Sequence, residues 1–218
     1  FYTGCLTPAE CGIADLMTQT ANLLIPLVSL DITDGVFRFA ANRQHGRADT
    51  FSVGLRIITL GSAGMLLLIA CLQKIPAVHT YGFLLASFVI ASCYHGLCAH
   101  FVRAKGNTAL FSLQGLFNTA LFIGLNVLFL AVFQWGIPGY VLSTTVANFI
   151  TAVLLVWKGQ LWRYIHCSPR RSLQRRMLRY CIPLIPAAIF WWIMGVSETL
   201  SPQPYFSAQA ALSPSLHC

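Results

Sequence analysis

Apolar residues fall in long blocks separated by short polar or basic connectors, and this block pattern dominates the chain from end to end. A helix needs about 20 mostly apolar residues to cross a hydrocarbon layer ~30 Å thick. Five blocks reach that length: residues 13–37, 53–72, 81–102, 109–133 and 137–157. A sixth starts near Cys181 and continues through Ile189, Trp191 and Trp192, but it is shorter and runs into Glu198 and a Pro-containing tail. The pattern predicts an all-α, polytopic membrane helix bundle of five full transmembrane helices and a partial sixth.

Composition agrees. Of the 218 residues, 56% are hydrophobic and only 9% are charged, where soluble domains carry about 25% charged residues. The formal net charge is +8, and the placement of the basic residues matters more than their number. Every Lys and Arg except Lys74 falls in the connectors after the first, third and fifth blocks or at their edges. The positive-inside rule puts those connectors in the cytoplasm and the beginning of the chain outside the cytoplasmic membrane. Trp135 and Tyr140 flank an outer turn, while Trp157, Trp162 and Tyr164 flank the basic inner connector, as expected of interfacial rings. Charges used in this way anchor the protein to lipid headgroups and leave no basic, aromatic-interleaved soluble module for nucleic acid. Residues 158–180 are basic with apolar positions at helical spacing, so they fit either an interfacial amphipathic helix broken at Pro169 or a solvated linker.

The first block carries the most polar groups. Asp15, Thr18, Gln19, Asn22 and Pro26 follow helical spacing, so they form one stripe, with the helix-bending Pro26 at the centre of the block. Such a stripe either lines a water-filled cavity or supplies hydrogen bonds between helices. Farther along, Asp34 and Arg38 are four apart in the favourable acid-to-base order, which suits a local ion pair. Alternatively Arg38 and Arg56, near the inner mouth, attract an anionic headgroup, because a guanidinium donates two hydrogen bonds to a phosphate at once. Gln114, Asn118 and Asn126 in the fourth block, with Ser143, Thr144, Asn148 and Thr151 in the fifth, suit sugar hydroxyls and interhelical hydrogen bonds equally well.

Metal and catalytic chemistry find little support. Cys93, His95, Cys98 and His100 invite a zinc reading, but one continuous helix points them to different faces. His95 instead suits a cavity wall, and His100 an interface contact beside Arg103. The eight cysteines contain no CxxC pair and read as reduced packing residues, with a Cys5–Cys11 bridge as the alternative. No HExxH, GxSxG, GxxxxGK[ST] or GxGxxG sequence is present, and the outer connectors are too short to build a site. No enzyme, cofactor or metal is expected.

Two stretches resemble a known family. YTGCLTPAECGIADLMTQTANLLIPLVSLDITDGVFRFA is similar to the end of the first helix and the second helix of Wzx-type oligosaccharide flippases, of the multidrug/oligosaccharidyl-lipid/polysaccharide (MOP) exporter superfamily. MLRYCIPLIPAAIFWWIMGVSE resembles the start of their seventh helix, with Pro183, Pro186, Trp191 and Trp192 in place. The resemblance implies two six-helix lobes around a central cavity, through which a polyprenyl-diphosphate-linked oligosaccharide moves to the outer leaflet for O-antigen or other lipopolysaccharide assembly. It makes Gln19, Asn22, Asp34, Arg38, Arg56 and Asn118 the candidate cavity residues and Pro26 the bend. It also implies a division of the chain: residues 1–165 as a first lobe lacking its first helix, 166–180 as a cytoplasmic connector, 181–198 as the start of the second lobe, and 199–218 as an aberrant, disordered tail. On this reading the chain is a truncated fragment, inactive by itself. A cation-coupled drug exporter of the same superfamily and a membrane enzyme of polysaccharide assembly are the alternatives.

Overall fold

The computed structural model describes residues 8–42, 46–72, 76–165 and 171–200, and these are almost entirely helical. In chain order the helices are α1 (Pro8–Ser29), α2 (Ile32–Ala41), α3 (Arg47–Leu72), α4 (Pro76–Ala104), α5 (Thr108–Asn126), α6 (Gly136–Lys158), α7 (Arg171–Cys181) and α8 (Leu184–Leu200). A π-helical turn (Val127–Val132) extends α5, and a 3-10 turn (Leu161–Tyr164) follows α6. The all-α membrane helix bundle is the observed fold.

The predicted first block, 13–37, is not one helix. Leu30 and Asp31 take left-handed backbone angles, φ 50° and 51°, and separate α1 from α2. Pro26 has no N–H to donate and lies inside α1, while the break lies four residues beyond it. There the Asp31 N–H donates back to the Pro26 carbonyl at 3.1 Å, closing a wide turn that ends α1. Asp is among the few side chains that tolerate this conformation.

Five described stretches are long and apolar enough to cross a membrane: 47–71, 81–104, 108–130, 136–158 and 171–197. The set differs from the predicted one. Asp15, Gln19 and Asn22 dilute the apolar content of α1, which is absent from it, although 22 residues give a helix of about 33 Å. The stretch 171–197, by contrast, joins α7 to α8 across a break at Ile182 and Pro183.

α4 is the central helix and packs on α1, α2, α3, α5 and α6. Ala86, Val89, Cys93, Leu97 and Phe101 are buried along it at helical spacing. Small residues set the spacing of its neighbours. A Cβ on Gly54 would come within 2.6 Å of Val36 Cγ2 and 2.9 Å of Leu97 Cδ1, where α2, α3 and α4 meet. At the basic end, Phe101 packs between Phe51 and Tyr164, ring centroids 4.6 and 5.3 Å away.

α7 lies within the predicted connector and is strongly amphipathic. Leu173, Met177 and Cys181 recur every four residues and are buried, while Arg171, Arg175, Arg176 and Arg179 are exposed. The helix packs on α2 and α3, and α8 packs on α1. Pro169 and residues 201–218 lie outside the described residues, as does Cys5; Cys93, Cys98 and Cys181 are free thiols in the core.

Candidate functional site

The polar stripe of α1 splits in the folded chain. Asp15 and Asn22 are exposed, Gln19 and Pro26 are half-buried, and the Thr18 hydroxyl donates to the Ala14 carbonyl at 2.9 Å. α8 meets this stripe: the Trp192 indole N–H donates to the Gln19 carbonyl at 2.8 Å. One of the paired tryptophans thereby ties the last described helix to the first, while Trp191 is 78% exposed.

At the basic end the structure rearranges the predicted ion pair. Asp34 faces His100 of α4, with Oδ1 and Nδ1 3.5 Å apart, and not Arg38. The Arg38 guanidinium lies over the Tyr180 ring of α7, 4.4 Å from its centroid. The reason is packing: Val36 and Ala40 turn one side of α2 into the core, and α7 supplies an aromatic face beside Arg38. Arg103 is placed similarly, 4.9 Å from the Phe37 ring and 5.4 Å from the Phe111 ring. Lys105 donates to the Gly159 carbonyl at 3.0 Å and sits 4.8 Å from the Tyr164 ring. The ends of α2, α4 and α6 therefore bring these cations to one end of the bundle.

The polar groups of α4, α5 and α6 pair with each other. Asn118 Nδ2 donates to Asn148 Oδ1 at 3.3 Å, and Asn148 Nδ2 donates to Ser92 Oγ at 3.0 Å. The Thr151 hydroxyl bonds Asn118 Oδ1 at 3.0 Å, and His95 Nε2 lies 2.8 Å from Gln114 Oε1. Asn118 and His95, both expected to face a cavity, are thus engaged between helices. Cys93 and Cys98 sit in the apolar core, and among the described residues no three His, Cys, Asp or Glu side chains gather.

An open cavity of about 710 Å³ between α3, α4 and α6 has almost wholly apolar walls, including Phe51, Leu55, Phe83, Ile90, Val146 and Phe149. It touches none of the six candidate cavity residues. Arg56 is elsewhere, exposed on α3 in a groove of about 770 Å³ shared with Arg171, Arg175 and Arg179 of α7. These three arginines escaped the sequence-based choice of site residues, yet their four-residue spacing was the available signal.

No protein-family profile and no curated protein matches the chain. A solved structure does: an outward-facing conformation of a multidrug resistance MATE family transporter of the MOP superfamily, at a TM-score of 0.65 and 17% identity. The alignment covers 84% of this chain and 46% of that one, so the chain spans about half the length of the transporter it is similar to. The likeness is one of fold: the helices are arranged as in a MOP-superfamily transporter.

Proposed function

We propose that the protein acts in the cytoplasmic membrane as part of a MOP-type transporter, and that its substrate is a polyprenyl-diphosphate-linked oligosaccharide. The observation that carries this reading is the MOP-like arrangement of helices together with cations gathered at one end of the bundle. Arg38 and Arg56 would supply guanidinium groups for its diphosphate. The two sequence stretches resembling oligosaccharide flippases support the same substrate. Translocation needs no covalent step, which accords with the absence of catalytic motifs from the sequence. In this orientation α7 lies at the cytoplasmic interface and the beginning of the chain outside. Gln19, which α8 holds through Trp192, with Asn22 and Pro26, is where the cavity wall would bend between its two states.

Drug export is the second reading, because the similar solved structure is titled as a multidrug transporter. One experiment separates them. The natural gene product containing this chain is expressed in a strain lacking its own oligosaccharide flippase, and in a strain lacking its drug exporters. Restored surface polysaccharide without drug resistance supports the flippase, and Asn22→Leu should then lower the restoration with membrane insertion intact. Resistance to cationic drugs without polysaccharide would overturn it in favour of export.

A further inference from the structure

Arg56 of α3 and Arg171, Arg175 and Arg179 of α7 line an open groove together with Gln174, Leu178 and Ile182. All four arginines are exposed, and among the described residues no carboxylate forms an ion pair with any of them. A second groove, of about 570 Å³, runs between α1 and α3 and is walled almost entirely by apolar groups such as Leu24, Leu27, Ile57, Leu60 and Met65. The two grooves share Gln174 and Leu178. Together they form one crevice with a cationic head and an apolar stem.

The direction of the crevice is set by α3. Its basic mouth begins at Arg56, and its apolar wall continues through Gly61 and Gly64 to Leu68. Twelve residues of helix span about 18 Å, close to the ~15 Å depth of one leaflet of the hydrocarbon layer. Gly64 faces open space, and its missing side chain keeps the stem clear.

We propose that this crevice is a binding site for an anionic phospholipid of the surrounding bilayer, with its phosphate on the four guanidinium groups and one acyl chain along the α1–α3 groove. The guanidinium fork suits phosphate oxygens, and basic pockets at the ends of membrane helices hold anionic lipid heads. The bound lipid clamps α7 to α3 and α1. The site lies on the α1–α3–α7 face, and of its four guanidinium groups only Arg56 is shared with the substrate reading.

The test is native mass spectrometry of the purified chain in neutral detergent, titrated with dioleoyl phosphatidylglycerol, dioleoyl phosphatidylcholine or inorganic phosphate. One phosphatidylglycerol should bind at least about tenfold more tightly than phosphatidylcholine, whose choline shields the phosphate. The preference should shrink as ionic strength rises. Arg175→Gln with Arg179→Gln, at exposed positions, should weaken phosphatidylglycerol binding by about tenfold or more. Gly64→Phe should block the stem and weaken both lipids without disturbing the head. Equal binding of the two lipids, or phosphatidylglycerol binding indifferent to the arginine pair and to Gly64→Phe, would overturn the proposal. Inorganic phosphate binding as tightly as the lipid would also overturn it, by reducing the site to a simple anion groove.

Discussion

Gly61 has no room for a side chain, since its Cβ would run into the main-chain carbonyl of Val28 where α3 crosses α1. Backbone cannot swing aside as a flexible side chain does, so Gly61→Ala should cost about 1–3 kcal/mol. Gly64, one turn on and in open space, is the control: Gly64→Ala should be neutral or stabilise by up to about 1 kcal/mol through helix propensity. Thermal unfolding of both variants in detergent checks the pair. Asn118, Asn148 and Thr151 form a connected hydrogen-bonded cluster, so their effects should not add. Asn148→Ala should cost about 0.6–1.7 kcal/mol, and Thr151→Ala made in Asn118→Ala should cost less than in the parent. Equal costs in the two backgrounds would show that the bond contributes nothing. The polarity of these residues within spans is legible in the sequence; their partners are not, because pairing depends on how each helix is rotated about its axis.

The elements divide along the same line. Block length and hydropathy mark α3, α4, α5 and α6 to within about six residues at each end, since lipid imposes a minimum apolar length and internally bonded backbone. The α1–α2 break is invisible to that criterion. It falls at Leu30 and Asp31, where tertiary packing of α2 against α3, α4 and α7 dictates a new direction. Asp31→Asn should be tolerated there, whereas Asp31→Val, β-branched at a φ of 51°, should cost about 1–2 kcal/mol more than Asn. Comparison with Asn removes the effect of the lost charge, and a thermal shift of equal size in both variants would contradict the backbone argument. α7 is legible as amphipathic from the spacing of Leu173, Met177 and Cys181, but the choice between helix and solvated linker is made by the packing of that face on α2 and α3.

For the whole molecule, the charge pattern predicts an orientation in the membrane that is open to direct test. Cys71 is exposed at the end of α3 opposite Arg47, and Ser172 is exposed on α7. In a background with all other cysteines replaced, a membrane-impermeant maleimide added to intact cells should label Cys71 and spare Ser172→Cys until the membrane is permeabilised. The reverse pattern would invert the topology, and labelling of both would show that α3 does not span. Trp192→Phe probes the contact between the two ends of the described chain: loss of the indole bond to Gln19 should destabilise by about 1 kcal/mol without changing this labelling.

The sequence by itself determined the lipid solvent, the helical class and the long apolar stretches that became α3, α4, α5 and α6. Each follows from composition and period along the chain, because a bilayer penalises unpaired backbone and charge whatever the neighbouring helices do. Only the tertiary structure decided that Asp34 meets His100, that Arg38 rests on Tyr180, that Asn118 is held between helices, and that Arg56 joins three arginines more than a hundred positions away. Those pairings depend on the rotation, break and crossing of helices, which are set where Gly54 and Gly61 let backbones approach and where α7 folds back on the bundle. Packing between segments distant in the chain has no period to read.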